Sequence, residues 1–236
     1  MSSNPSLLVG LGNPGREYAE SRHNVGFMVA DWLCARGGGS YREKFSGQTA
    51  RVTVEGSPCV LLKPETYMNE SGRSVQPAAA FLKVPPADIV VVHDEVDLPF
   101  GDVRIKVGGG HAGHNGLRSI IRHLGTADFV RIRIGVGRPP PGYGGEMADF
   151  VLGGFGPVER AELPDVVAKA GRAFERIFAV GLERAMNELN TRPKAKKSGS
   201  GVGGAPTGGE PPKNPGETKS FAPRESRGSR DRSACC

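Results

Sequence analysis

Nine polar side chains fall in short loops between the chain's apolar runs: Asn13, Tyr18, His23, Tyr67, Asn69, Asp94, His111, His114 and Asn115. Asn13, Asn69 and Asn115 carry amides, which donate and accept hydrogen bonds at once. A His beside an Asp can act as a general base on water, the Asp fixing the tautomer and stabilising the imidazolium. An imidazole of ordinary pKa, ~6.5, suits that work near neutrality. The amides would position an ester or amide and stabilise its developing oxyanion. A serine nucleophile in G-x-S-x-G and a Walker loop are both missing from the sequence. His111 and His114 also read H-x-x-H, and His93-Asp94-Glu95 could add metal ligands. That pair sits in a glycine loop rather than on a helix face, so the reading adopted is a His–Asp base with no metal. His93, at a strand end, reads as a core histidine.

Elements must bring these residues together. The stretch G-L-G-N-P-G-R-E-Y-A-E-S-R-H-N, residues 10–24, follows an apolar run at 7–11 that reads as a first strand. Ser21 is placed to cap a helix ending near Arg36. Asn13, Tyr18 and His23 therefore sit where a strand hands over to a helix, the edge of an open α/β sheet at which ligands bind. Gly10, Gly12 and Gly15 match the dinucleotide pattern G-x-G-x-x-G, but its context fails. Pro14 and a polar run follow the third glycine. Asp31, at the spacing of a ribose-binding acid, lies inside the helix pattern.

Residues 48–54 and 59–63 read as paired strands across the turn 55–58. Tyr67, Met68 and Asn69 occupy the polar loop after Pro64, and Ser71 is placed to cap a helix reaching about Val84. Residues 88–93, D-I-V-V-V-H, form the continuous apolar run of a buried central strand. A strand at 103–107 carries Arg104 and Lys106 on one face. The loop G-G-G-H-A-G-H-N-G, 108–116, leads into an amphipathic helix over 117–124, and 129–136 is a further strand. Residues 157–190 read as two helices divided near Pro164. The pattern predicts a single three-layer α/β domain with a twisted mixed β-sheet flanked by helices.

Charge and composition divide the chain at Asn190. Residues 1–190 carry 21 Lys and Arg against 21 Asp and Glu, so the whole net charge of +6 lies in residues 191–236. That Gly/Pro-rich basic segment holds Phe221 as its one aromatic and reads as a disordered tail. The domain is neutral overall, yet between Arg104 and Arg138 seven basic residues face one acid, Asp128. Such a local excess favours a polyanionic partner. Cys34, Cys59, Cys235 and Cys236 show neither metal spacing nor a disulfide framework, which fits a reducing cytoplasm. No signal peptide or membrane-spanning run is evident, so no membrane partner is expected.

Five motifs occur in one order: G-L-G-N-P-G-x-x-Y-x-x-x-R-H-N, K-P-x-T-Y-M-N-x-S-G, H-D-E-x-D-L-P-x-G, G-G-G-H-x-G-H-N-G-L and R-I-R-I-G-V-G-R-P. Together they resemble the bacterial-type peptidyl-tRNA hydrolases over roughly residues 6–190. The resemblance implies a monomeric, cytoplasmic, cofactor-free hydrolase whose substrate is peptidyl-tRNA lost from the ribosome. It would cleave the ester between the peptide and the 3'-terminal ribose. Carried over by motif position, His23 would be the base and Asp94 its orienting partner. Asn13 would discriminate an N-blocked peptide from a free aminoacyl group. Tyr18, Tyr67, Asn69 and Asn115 would bind the peptide–adenosine end, with Met68 and His114 alongside. Arg104, Lys106 and Arg133 would receive tRNA phosphates. One departure stands out. Family members often carry a Lys in the loop matching 138–148, where this chain has Arg138 followed by Pro, Gly and Glu146.

Overall fold

A computed structural model describes residues 6–191. The expected tail lies outside the described residues, apart from Thr191. The strands are β1 (Leu7–Gly10), β2 (Arg42–Glu43), β3 (Gly47–Val54), β4 (Ser57–Pro64), β5 (Ile89–Glu95), β6 (Val103–Val107) and β7 (Val130–Gly135). The α-helices are α1 (Val25–Arg36), α2 (Gly72–Leu82), α3 (Asn115–Leu124), α4 (Met147–Leu152), α5 (Pro157–Val180) and α6 (Leu182–Asn190). The strands form one mixed sheet in the order β2-β3-β4-β1-β5-β7-β6. β1 runs parallel to β4 and β5, and β5 parallel to β7, while β3–β4 and β6–β7 are antiparallel.

Strand alternation sorts the apolar residues into two layers. Leu8, Val90, Val92 and Ile132 face a core shared with α1 and α5. Leu7, Val9, Ile89 and Val91 face the other, shared with α2 and α3. All seven residues of β5 are buried, as a strand covered on both faces must be. Both edges of the sheet are dealt with. β2 is two exposed residues long. β6 is met by Asn190, whose side chain accepts from Ile105 N–H at 3.0 Å and donates to Ile105 C=O at 2.8 Å.

Three local expectations need correction. Ser21 does not cap the α-helix: it precedes a 3₁₀ turn at Arg22–Asn24, and α1 starts at Val25. Ser71 has helical backbone angles, and its hydroxyl turns back to Met68 C=O at 2.8 Å. Pro164 does not divide the last helices. It forgoes one backbone bond to the carbonyl of Arg160, an exposed residue that water can solvate. The break comes at Gly181, whose φ of 84° only glycine adopts readily. In addition, α4 directly follows the 138–146 loop, a helix the sequence reading did not anticipate, started by reciprocal bonds between Glu146 and Asp149.

Candidate active site

The site is built at the C-terminal ends of β1 and β5, and glycine makes it possible. A Cβ on Gly26 would stand 2.4 Å from both Leu11 N and Val92 O, and one on Gly10 would stand 2.3 Å from Gly26 O. Without side chains there, the first turn of α1 lies directly on the β1 and β5 backbones. That approach carries His23, three residues earlier, onto the end of β5. His23 Nδ1 meets Asp94 Oδ1 at 2.8 Å. Asp94 is buried and His23 is 9% exposed.

A second imidazole reaches the same oxygen. His114, the N-cap of α3, places Nε2 at 3.1 Å from Asp94 Oδ1. Its Nδ1 accepts from Gly116 N–H at 3.2 Å and from Leu117 N–H at 3.4 Å. An accepting Nδ1 carries no proton, so this network assigns His114 as neutral with its proton on Nε2, donated to Asp94. His23 likewise gives Nδ1–H to Asp94. Its Nε2 has no hydrogen-bond partner among the described residues and is left as the basic atom.

The electrostatics follow from this geometry. Burial alone would lower the pKa of His23, but the charge of Asp94 and the hydrogen bond to it prevail and raise it above 6.5. Burial would raise Asp94, yet the two imidazoles hold it well below the ordinary carboxylate range. His93 differs. Its Nδ1 lies 2.7 Å from Asp94 C=O, and its ring meets that of His114 edge-on at 4.9 Å. Burial, with His114 next in weight, pushes it down to about 3, so it stays neutral. It is the core histidine the sequence suggested.

Asn13 is fixed by its neighbours. Its backbone N–H donates to Asn24 Oδ1 at 2.8 Å, and Asn24 Nδ2 returns a bond to Asn13 C=O at 2.9 Å. Asn13 Oδ1 accepts from Met68 N–H at 2.7 Å. The amide orientation is thus set, and the Nδ2 donors have no partner among the described residues. Asn24 was missed in the sequence, although it sits in the same R-H-N triplet as His23. Met68 is buried, and its sulfur lies where a Cβ on Gly116 would stand, which joins the 67–70 loop to α3. Asn115 on α3 accepts from Arg118. Tyr67 is 66% exposed and Asn69 is exposed. Neither of them nor Tyr18 makes a side-chain hydrogen bond among the described residues.

Arg22, the residue before His23, was also missed. It donates to Gly153 and Gly154 carbonyls and to Glu159 Oε2 at 2.7 Å, with its guanidinium 4.3 Å from the Phe150 ring centroid. It ties the turn bearing His23 to the C-terminal end of α4.

His111 does not join His114 in a metal-type pair: its Nδ1 accepts from Gly113 N–H within its own loop. A possible ligand set among the described residues is His23, Asp94 and His114, with donor atoms within 4.8 Å of one another. A cation there would displace both ring protons that Asp94 now holds.

The basic stretch is less unbalanced in space than in sequence. Arg133 binds Glu95 Oε2 at 3.0 and 2.9 Å, Arg104 binds Asp102 at 3.1 Å, and Arg138 pairs with Asp97. These acids lie outside or at the margin of the window that gave seven to one. Arg131 is buried against the carbonyls of Gly109 and Gly110. Lys106, Arg118 and Arg122 have no carboxylate partner among the described residues.

Known proteins resemble this chain over most of its length. The family model described as peptidyl-tRNA hydrolase matches residues 7–198. A peptidyl-tRNA hydrolase from Sorangium cellulosum is 60% identical over 202 residues, covering 85% of this chain and 91% of that protein. One from Mycolicibacterium vanbaalenii is 52% identical over 188 residues, covering 79% and 97%. The crystal structure of the Acinetobacter baumannii enzyme superposes with a TM-score of 0.75 at 40% identity, covering 80% of this chain and 96% of that one. With the matches running through every element that builds the site, this chain belongs to the peptidyl-tRNA hydrolase family.

Proposed function

We propose that this protein hydrolyses the ester joining a peptide, or an N-blocked aminoacyl group, to the 3'-terminal ribose of tRNA, with His23 as general base. The observation that carries the reading is the Asp94-bound imidazole of His23, whose Nε2 has no partner among the described residues, with Asn13 tied to the next residue, Asn24, and its Nδ2 likewise without a described partner. Family membership supports it.

The reaction follows from these groups. His23 Nε2 takes a proton from water as the water oxygen attacks the ester carbonyl. The imidazolium formed is stabilised by Asp94, which stays ionised because two imidazoles face it. Negative charge gathers on the carbonyl oxygen, and preorganised amide donors stabilise it at no reorganisation cost. Collapse breaks the bond to the ribose oxygen, which recovers the proton from His23. Free tRNA and the peptide acid leave, the acid losing its remaining proton to water to become a carboxylate. Asn13 reads the peptide side, because its Nδ2 donors suit a peptide carbonyl. Asn69 and Asn115 hold the reacting end, with Tyr18, Tyr67, Met68 and His114 shaping the seat of the terminal adenosine.

Lys106 receives tRNA phosphate directly. Arg104 and Arg133 do so by exchanging Asp102 and Glu95 for phosphate, a swap between charge-assisted bonds of similar kind. Every group invoked comes from one chain, so a cytoplasmic monomer suffices. No helix among the described residues is long and apolar enough to cross a membrane.

The test is hydrolysis of N-acetyl-aminoacyl-tRNA beside unblocked aminoacyl-tRNA, with and without EDTA. The expected result is cleavage of the blocked substrate alone, indifferent to the chelator. Loss of activity in EDTA would instead assign His23, Asp94 and His114 to a metal.

A further inference from the structure

A second cleft opens at the same edge of the sheet, over the end of β4. It has a volume of about 240 Å³ and is walled by Asn13 and Gly15 of the first loop, Asn24 of the 3₁₀ turn, Asp31 of α1, Lys63 of β4 and Glu65 just after it. Asn13 is therefore common to this cleft and to the site around His23. No role assigned above uses Asp31, Lys63 or Glu65.

The strand order fixes which part of the substrate comes near. The reacting ester sits over β1 and β5. The cationic groups assigned to tRNA, Arg104, Lys106 and Arg133, lie on β6 and β7, on the far side of β5. A peptide leaving the ester away from tRNA must travel over β1 toward β4. Adjacent strands lie about 4.8 Å apart, so β4 is roughly 10 Å from β5. One extended residue spans about 3.3–3.6 Å, and a long side chain covers the remainder. The cleft is thus within reach of the side chain on the residue preceding the esterified one.

The charge in the cleft sets what it accepts. Lys63 Nζ is held by Asp31 Oδ1 at 2.6 Å and lies 4.4 Å from the Tyr41 ring centroid, so those two charges are spent on each other. Among the described residues the Glu65 carboxylate meets the neutral amide of Gln48 at 3.2 Å and no cation, and it remains exposed. One uncompensated carboxylate remains in a cleft large enough for one side chain.

Resting on the hydrolase reading above, we propose that this cleft is a subsite of the peptidyl group. It takes the side chain of the residue preceding the esterified one, and Glu65 gives it a preference for a cationic side chain.

The experiment uses the full chain and N-acetyl-X-Phe-tRNA with X as Lys, Ala or Glu, with N-acetyl-Phe-tRNA as reference. The order of kcat/KM should be Lys, then Ala, then Glu. Each step should be about two- to fivefold, the range of a partly exposed ion pair. Glu65→Gln should bring the three rates together, and Glu65→Lys should reverse their order. Equal rates for all three X, or a Lys preference that survives Glu65→Gln, would overturn the subsite. Equal slowing of all substrates by Glu65→Gln would also overturn it. Failure to cleave even N-acetyl-Phe-tRNA would strike the hydrolase reading itself, so the two failures are distinct.

Discussion

His23 and His114 bind the same oxygen of Asp94, at 2.8 and 3.1 Å, with their ring centroids 5.0 Å apart. The two imidazoles are not equivalent. His114 has Nδ1 committed to the backbone of α3, whereas His23 Nε2 is free to take a proton. The carboxylate therefore holds one imidazole with a nitrogen left over and one with both nitrogens engaged, the asymmetry on which the proposed base rests.

This relationship fixes the pH profile. His23 must be neutral to accept a proton, and Asp94 raises its pKa above 6.5. The acid limb of kcat/KM should thus have its midpoint above 6.5, with activity rising as pH increases through it. Asp94→Asn removes the charge and leaves burial, which acts in the opposite direction. The limb should then move below 6.5, while kcat falls by on the order of a hundredfold or more. A limb that stays in place in Asp94→Asn would show that another group titrates.

His114→Ala should move the same limb the other way. Losing one donor makes Asp94 more basic, which strengthens its hold on the His23 imidazolium. The midpoint should rise by up to about one pH unit, since a hydrogen bond to a charged group contributes about 1.5–3 kcal/mol and only part of that differs between the two states of His23. A downward move would mean that His114 shapes His23 by some route other than Asp94.

Asn13 offers a cleaner substitution than truncation. Asn13→Asp keeps an acceptor for Met68 N–H but loses both amide donors. It should fold normally, yet reduce the preference for N-acetyl-aminoacyl-tRNA over free aminoacyl-tRNA. Asn13→Ala should do the same and also cost about 1–3 kcal/mol of stability, because the buried Met68 N–H loses its partner. An unchanged substrate ratio in Asn13→Asp, with only the overall rate lowered, would remove Asn13 from the role of reader.

Much of this was legible in the sequence, for physical reasons. The apolar run of β5 and the alternation of β3 and β4 record burial, so those strands were evident. The five motifs fall on backbone turns, so His23 and Asp94, which the fold brings into contact, stood out in the sequence as candidates. Pairing across the fold leaves no such trace. Glu95, next to Asp94, turns out to neutralise Arg133 on the neighbouring strand, and a count along the chain cannot register that. Arg22 reads as one more surface charge until Gly153, Gly154 and Glu159 are seen around it. Pro164 misled because propensity describes isolated helices, whereas Val166, Ala170, Phe174 and Ile177 continue the buried stripe of α5 past it.

The phosphate contacts can be sorted by their partners. Lys106→Ala removes a cation with no carboxylate partner among the described residues, so KM should rise several-fold with kcat little changed, and the salt slope of log K should flatten by about one unit. Arg133→Ala removes a cation and also bares Glu95, so its KM should rise further. Adding Glu95→Gln should recover part of that loss. Full recovery would mean that Arg133 only neutralises Glu95 and never meets phosphate.

The central claim is that His23 is the base, and single-turnover release of tRNA from N-acetyl-aminoacyl-tRNA tests it most directly. His23→Ala, shown by its melting temperature to be folded, should bind the substrate as the unsubstituted protein does and release almost no tRNA across the pH range. Release at a rate near that of the unsubstituted protein, from the same folded variant, would contradict the account.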